Sequence, residues 1–104
     1  MKAILVYTTL DSLKDAEELA GKLVEERLAG CANIYAGNSS FYRWEGEVRR
    51  GAEVALILKT RTELWEKIRD RIAALHPYKC PAILAIPVQM GHEPYLQWLH
   101  DATL

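Results

Sequence analysis

Three side chains in this sequence carry the donor atoms that soft metal ions prefer, namely Cys31, His76 and Cys80. Thiolate and imidazole groups favour copper and zinc over magnesium and calcium. A closed zinc site needs about four ligands, so His76 and Cys80 would have to be completed by Cys31 or by groups from another subunit. Two other interpretations stay open: Cys31 as a small core hydrophobe, and Pro77 and Pro81 as signs of a structured turn around His76 and Cys80.

Large aromatic side chains form a second group with chemical potential. In a cleft between subunits they would provide the wall of a ligand pocket. Aromatic residues are also enriched in protein interfaces, where they contribute through packing. We expect packing to be their main role, with some of them lining a cleft. The group consists of Tyr42, Trp44, Tyr95 and Trp98.

Lys59 ends an apolar run just before Thr60-Arg61-Thr62, where a helix is expected to begin. Because helix N-termini attract anions, the ammonium group of Lys59 would meet an anionic ligand there. The same side chain would equally well extend into solvent, or pair with Glu53 or with an acid of a partner subunit.

Length, composition and charge exclude several classes of protein. The chain has 104 residues and a net charge of −1, which predicts a single domain over residues 1–104 without broad attraction for nucleic acid or anionic membranes. No apolar run reaches the ~18 residues of a membrane span, and the N-terminus does not resemble a secretion signal. Two cysteines are too few for a disulfide framework, so reduced thiols and a cytoplasmic location are expected.

The sequence also lacks the local signatures of common enzymes. It contains no glycine-rich phosphate loop, no G-x-S-x-G elbow and no H-E-x-x-H motif. The acidic pairs Glu17-Glu18 and Glu25-Glu26 lie on the polar side of a predicted helix, where solvation explains them. We therefore expect a protein that is not an enzyme and requires no cofactor.

The stretch from Cys31 to Thr60 predicts one long β-hairpin whose arms meet near Trp44-Glu45-Gly46-Glu47. Its second arm alternates in polarity with the period of two that is typical of a half-buried strand. Strands usually stop after about 5–6 residues, so an arm this long should project beyond its own core. Its unpaired backbone groups would then pair with another chain. Gly37-Asn38-Ser39-Ser40 and Gly51 predict a bulge or bend in this ribbon.

The remaining segments alternate between strand and helix patterns. Helical spacing from Leu13 to Leu28 predicts a helix with an N-cap at Asp11 or Ser12 and a left-handed C-terminal glycine at Gly30. The other predicted elements are a strand at Lys2–Thr9, a helix from Arg61 to Pro77, a strand at Ala82–Val88 that lies at a sheet edge at Pro87, and a helix at His92–Asp101. This β-α-β-β-α-β order with a short terminal helix fits an α+β, ferredoxin-like sandwich.

At this level of detail the chain resembles the CutA proteins, the divalent-cation tolerance family, along nearly its whole length. The resemblance is carried by five segments that occur in order and with suitable gaps. They are Leu28-Ala29-Gly30-Cys31-Ala32-Asn33-Ile34, Ser40-Phe41-Tyr42-Arg43-Trp44-Glu45-Gly46, Glu53 with Leu58-Lys59-Thr60, His76-Pro77-Tyr78, and Tyr95-Leu96-Gln97-Trp98-Leu99.

The resemblance implies a homotrimer built by the long hairpin, similar in plan to the PII signalling proteins. It also implies a role connected with copper and other divalent cations, and places Tyr78 and Glu53 among the candidate cleft residues. Family members commonly carry an acidic residue where this chain has Ala82, so we expect metal binding to be weak and preferential for copper. The alternatives are a PII-like sensor that binds a metabolite in its intersubunit clefts, and a structural trimer that binds an unidentified protein partner.

Overall fold

The computed structural model describes residues 1–104, and its strands form one antiparallel sheet in the order β2-β3-β1-β4. The strands are β1 (Ala3–Leu10), β2 (Cys31–Trp44), β3 (Glu47–Arg61) and β4 (Leu84–Pro87). The helices are α1 (Leu13–Glu25), α2 (Trp65–Leu75) and α3 (Glu93–Ala102), with one turn of 3₁₀ helix at Thr62–Leu64. The expected α+β class is confirmed. None of the helices is both long and apolar enough to cross a bilayer.

Helices α1 and α2 cover one face of the sheet, which we call the covered face. Every second residue of β1 and β3 points to this side, and Val6, Leu56 and Leu58 are fully buried there. Leu23 of α1 and Ile68 of α2 complete the same apolar cluster. Because each fully buried side chain of this kind contributes about 1.5–3 kcal/mol, this layer accounts for most of the stability of a single chain.

Helix α1 begins as the sequence predicts and ends earlier. The Ser12 hydroxyl accepts a hydrogen bond from the backbone N–H of Asp15 at 3.1 Å, so Ser12 is the N-cap. The helix stops at Glu25, and Arg27 rather than Gly30 adopts the left-handed conformation, with φ of 63°. Gly30 is needed for a different reason: a Cβ there would lie 2.7 Å from a methyl carbon of Leu99 in α3.

The long hairpin has the predicted extent. Its two-residue loop, Glu45-Gly46, has positive φ at both positions, 50° and 79°, which matches the twist of the flanking strands. The register shifts between Tyr35 and Asn38, around Gly37, whose φ is 78°. The predicted irregularity is therefore a bulge in the first arm. Gly51 pairs regularly with Ser40, so the second arm runs without interruption.

The C-terminal third follows the prediction with a shorter strand. Strand β4 covers only Leu84–Pro87, because it forms just four residue pairs with β1 at the edge of the sheet. Pro87 lies at that edge, where the missing N–H is tolerated. Helix α3 begins after His92 with a proline in its first turn. Arg61 anchors the helix end by donating to the hydroxyl and the carbonyl of Thr103, at 3.0 and 2.9 Å.

The opposite side of the sheet, which we call the open face, is only partly covered. Lys59 and Arg61 alternate with the buried residues of β3 and contact α3, so α3 lies on this side at one end of the sheet. No helix covers the rest of the face, where apolar side chains remain exposed, 55% for Tyr35 and 56% for Leu84. The apolar side chains on this face are Leu5, Tyr7, Tyr35, Ile57, Leu84 and Ile86.

Candidate functional site

A cleft of about 610 Å³ lies on the open face, between the projecting hairpin and the loop that follows α2. We use "the cleft" for this cavity throughout. Its lining combines aromatic rings with charges of both signs, together with the thiol of Cys80 and small or hydroxyl side chains. The aromatic members are Tyr7, Tyr42, Trp44 and Tyr78, and the charged members are Asp11, Arg49, Glu53 and Lys79.

The strand register explains how distant segments meet in the cleft. On the hairpin, Ser40 is opposite Gly51 and Tyr42 is opposite Arg49, so all four positions share one side of the ribbon. Asp11 follows the last residue of β1, whose partner in β3 is Val54, next to Glu53. The cleft therefore forms where β1 ends and the hairpin continues beyond the sheet.

Tyr78 connects the two carboxylates of the cleft. Its hydroxyl oxygen lies 2.8 Å from Oδ1 of Asp11 and 2.9 Å from Oε2 of Glu53. Burial, followed by the hydrogen bonds to Asp11 and Glu53 and the negative charges of both, raises the pKa of Tyr78 far above its ordinary value. The phenol thus stays protonated, and its single proton can be donated to only one carboxylate at a time.

Glu53 is a half-buried carboxylate that remains ionised. Burial alone would raise its pKa, but the nearby side chains of Ser40, Tyr78 and Thr9 lower the pKa below its ordinary value, with the Tyr78 hydroxyl at 2.9 Å. The imidazole of His76, once protonated, acts in the same direction. Glu53 therefore presents a fixed negative charge on the floor of the cleft.

His76 supports this arrangement from below. The ring is buried, with Nε2 at 2.8 Å from the carbonyl oxygen of Thr9, while Nδ1 accepts a hydrogen bond from the backbone N–H of Tyr78 at 3.1 Å. These two partners require the tautomer with its proton on Nε2. The ring also meets the Tyr78 ring edge-on, with centroids 4.7 Å apart. His76 therefore positions Tyr78.

The three expected metal ligands are not brought together within one chain. Both ring nitrogens of His76 are engaged in hydrogen bonds. Cys31 is half-buried opposite Lys59, which is six residues from Glu53 along β3, or about 20 Å. Cys80 is exposed at the cleft. No group of three or more His, Cys, Asp or Glu side chains is placed to hold a metal ion.

The four predicted aromatic residues divide into two pairs. Tyr42 and Trp44 line the cleft with 46% and 43% of their surface exposed. Tyr95 and Trp98 belong to α3 at the other end of the open face, where their ring centroids are 5.5 Å apart. Lys59 lies with its Nζ 5.6 Å from the centre of the Tyr95 ring, so it joins this second pair and does not contact Glu53.

Sequence reasoning overlooked several cleft residues. Asp11 was considered only as a helix cap, and its role depends on a contact with Tyr78 across 67 positions of sequence, which no local pattern reveals. Arg49 was detectable, because it has the same parity as Glu53 on a strand already predicted to be long. Tyr7 and Lys79 also line the cleft, but no sequence pattern indicates this, because the tertiary fold places them there.

Comparison with known proteins gives one consistent answer. A family model described as the CutA1 divalent ion tolerance protein matches residues 4–102. The divalent-cation tolerance protein CutA of Thermus thermophilus is 46% identical over 99 residues, which cover 95% of this chain and 96% of that protein.

Solved structures agree with the sequence match. The CutA1 protein of Thermus thermophilus superposes with a TM-score of 0.95 at 44% identity, covering 98% of this chain and 99% of that chain. A protein of Archaeoglobus fulgidus, described as the periplasmic divalent cation tolerance protein CutA, superposes with a TM-score of 0.95 at 38% identity and the same coverage of 98% and 99%. The chain therefore belongs to the CutA1 family of divalent ion tolerance proteins.

Proposed function

We propose that this protein acts in divalent-cation tolerance as a non-catalytic homotrimer whose clefts, at the boundaries between subunits, bind a small ligand and transmit its presence as a signal. The observation that carries this proposal is the position of the cleft. It is built at the base of the projecting hairpin, on the one face of the sheet that a single chain leaves open. A neighbouring subunit on that face would border the cleft.

Three features of one chain support closed assembly. The open face presents apolar side chains without a covering layer, as with Leu84 and Ile86 at 56% and 48% exposure. Strands β2 and β4 form the two edges of the sheet and have backbone groups free to pair. The molecule is elongated, 45 Å by 25 Å by 24 Å, since the hairpin extends beyond the core. A three-fold ring would use each edge once and leave none free.

The strand order supports the ferredoxin-like and PII-like plan that the sequence predicts. In the order β2-β3-β1-β4, each βαβ half contributes one central and one edge strand, with α1 and α2 on the same face. The opposite face is then available to other subunits. A sensor of this plan would hold its ligand next to the projecting hairpin. A movement of the hairpin over the ligand would then change the contacts of two subunits.

Metal binding belongs to the proposal as a weak interaction. The donor groups of one chain do not fit a closed site, because His76 is fully hydrogen-bonded and Cys31 lies far from the cleft. The exposed thiol of Cys80 is the soft ligand that remains accessible in the cleft. A lone thiolate favours copper over harder cations, so binding would be weak and preferential for copper.

Two further parts of the prediction stay open. A trimer that only binds a protein partner remains the structural alternative, and the exposed Tyr95–Trp98 pair would be its contact surface. A cytoplasmic location stays a prediction, since the Archaeoglobus fulgidus relative is described as periplasmic.

Light scattering after size exclusion tests the assembly on which the proposal depends. The expected mass is three times 11.8 kDa, and a stable monomer at micromolar concentration would contradict it. Ile86→Lys, which places a charge on the open face, should dissociate the assembly. Val24→Lys, at an apolar site of 39% exposure on α1, should leave the mass unchanged.

Calorimetric titration of chelator-treated protein tests the metal component. Cu(II) should bind more tightly than Zn(II), and Cys80→Ser should abolish the difference while Cys31→Ser preserves it. If the parent protein binds neither ion, the cation-binding part of the proposal fails and the metabolite sensor is favoured.

A further inference from the structure

We infer that the cleft binds a small molecule that carries a guanidinium group, held between the carboxylates of Asp11 and Glu53. This inference rests on the proposed role of the cleft as a ligand site, and it names the chemical class of the ligand. It is carried by the two neighbouring carboxylates, by the aromatic rings that line the same cavity, and by the balance of charges around that cavity.

Tyr78 brings the two carboxylates together. The phenol oxygen is within hydrogen-bond distance of both Asp11 and Glu53, at 2.8 and 2.9 Å, but it has one proton. Glu53 also lies near the side chains of Ser40 and Thr9, which lower its pKa. The only hydrogen bond that Asp11 makes through its side chain is the one with Tyr78. The phenol therefore donates to only one carboxylate at a time, and the exposed oxygens of Asp11 are free to accept from the N–H donors of a ligand.

The aromatic lining favours a planar cation. Tyr42 and Trp44 line the same cleft as the carboxylates and keep nearly half of their surface exposed in the single chain. A guanidinium group stacks on aromatic faces while its edge donates in a fork to carboxylate oxygens. An ammonium group is a compact, strongly hydrated charge that does not stack in this way. The pairing of an aromatic wall with two carboxylates therefore matches guanidinium best.

The size and the overall charge of the cleft restrict the rest of the ligand. About 610 Å³ lies within the ~300–1,000 Å³ of typical small-molecule sites. Arg49 and Lys79 line the same cavity and offset the two carboxylates. Arg49 is held only loosely, 3.9 Å from Glu45. A carboxylate on the ligand would be attracted to this basic side, so a zwitterion shaped like arginine fits the cleft as a whole.

The test compares L-arginine with L-citrulline by isothermal titration calorimetry. Citrulline has nearly the same shape, but a neutral ureido group replaces the guanidinium. Arginine should bind at least about tenfold more tightly, because hydrogen bonds to a charged group are worth roughly 1.5–3 kcal/mol. The comparison uses the unaltered protein, so it does not depend on whether any variant folds.

Variants then locate the site. Asp11→Asn and Glu53→Gln should each weaken arginine binding by about fivefold or more. Asp70→Asn, the same chemical change on the exposed surface of α2, should leave binding unchanged. Equal affinity for arginine and citrulline overturns the inference. So does the absence of a binding heat with either compound at about 10 mM. So does arginine binding that is identical in all three variants.

The same samples separate this inference from the proposed function. Each titration is performed on protein whose mass has just been measured by light scattering. A trimer that fails to prefer arginine overturns the ligand class while the assembly stands. A monomer that prefers arginine, with the preference lost in Glu53→Gln, supports the ligand class and contradicts the trimer.

Discussion

The two faces of the sheet differ in how they are completed. On the covered face, α1 and α2 bury Val6, Leu56 and Leu58 completely, and every large side chain has apolar neighbours from the same chain. On the open face, Tyr35 and Leu84 remain more than half exposed. They belong to the same sheet, but their side chains point to the side that α1 and α2 do not cover. One face is a complete hydrophobic core. The other has exposed apolar side chains and is covered only at one end, by α3.

This difference separates stability from function. The covered face holds a single chain together through its buried apolar cluster. The cleft, with Asp11, Glu53 and Tyr78, opens on the other side, where we propose that neighbouring subunits and a ligand bind. Substitutions on the two faces should therefore act on different quantities: intrinsic folding on one, and assembly and ligand binding on the other.

The largest expected effect lies in the complete hydrophobic core. Leu56→Ala removes a fully buried side chain and should lower the free energy of unfolding by about 3 kcal/mol, from lost burial and the cavity left behind. Urea unfolding at two protein concentrations measures it, and the loss should be the same at both. Leu84→Ala on the open face is the matched control, with a loss that shrinks when dilution favours dissociated chains. Equal losses for both variants at every concentration would contradict the distinction between the faces.

The fold of the covered face was accessible from sequence because its signals are local. The alternation of Val54, Leu56 and Leu58, the cap at Ser12 and the turn at Glu45-Gly46 are each set by a few neighbouring residues. Where the prediction was wrong, a tertiary contact decided. Position 30 requires glycine because Leu99 packs too close to allow a Cβ, and not because a helix ends there. Strand β4 is shorter than predicted, since only its residues Leu84–Pro87 pair with β1.

The site was less accessible, because its geometry depends on register and on long-range contacts. Glu53 and Tyr78 were grouped with the cleft residues on the resemblance to a family rather than on a local pattern, and both line the cavity. Asp11 was not identified, and His76 was interpreted as a metal ligand because residue type and spacing do not reveal that both ring nitrogens are occupied. Residue type indicates which chemistry is available, whereas hydrogen-bond partners decide which is used.

Trp44→Ala tests whether a neighbouring subunit covers the aromatic residues of the cleft. The side chain is 43% exposed in one chain, so its removal should cost little unless a neighbouring subunit covers it. If the trimer buries it as an interface residue, the expected loss is about 2 kcal/mol or more. The apparent melting temperature should then fall and depend more steeply on protein concentration. Leu13→Ala, with 49% exposure on α1, is the control. An unchanged melting curve for Trp44→Ala would place this residue outside the interface.

Thr60→Val tests whether the covered face is as dry as its burial indicates. The Thr60 hydroxyl is fully buried and has no hydrogen-bond partner. Replacing it with a methyl group of similar shape should raise the free energy of unfolding by about 1 kcal/mol. Thr103→Val is the opposite control, because that hydroxyl donates to the carbonyl of Leu99 at 2.9 Å and accepts from Arg61. Destabilisation in both variants would mean that Thr60 has a partner, such as a buried water.

The smallest effect concerns pH and the carboxylate of Glu53. Its pKa is lower in the folded chain, since the donors around it outweigh the cost of burial. The unfolded chain therefore binds more protons in this range, and stability rises with pH there. The contribution is complete at neutral pH and is lost as the pH falls from the ordinary glutamate value of about 4.3 through the lower folded value.

Comparing Glu53→Gln with the parent protein isolates that contribution. The parent should be the more stable by less than about 1 kcal/mol at pH 7, because the group is partly exposed. The advantage should vanish once the pH has fallen below the lowered pKa of Glu53 in the folded chain. Glu17→Gln, on the exposed side of α1, should show no such change of difference with pH. If the advantage of the parent grew towards acid pH, Glu53 would be protonated in the folded cleft. A neutral Glu53 would then attract a cationic ligand less strongly, which would also count against a guanidinium in the cleft.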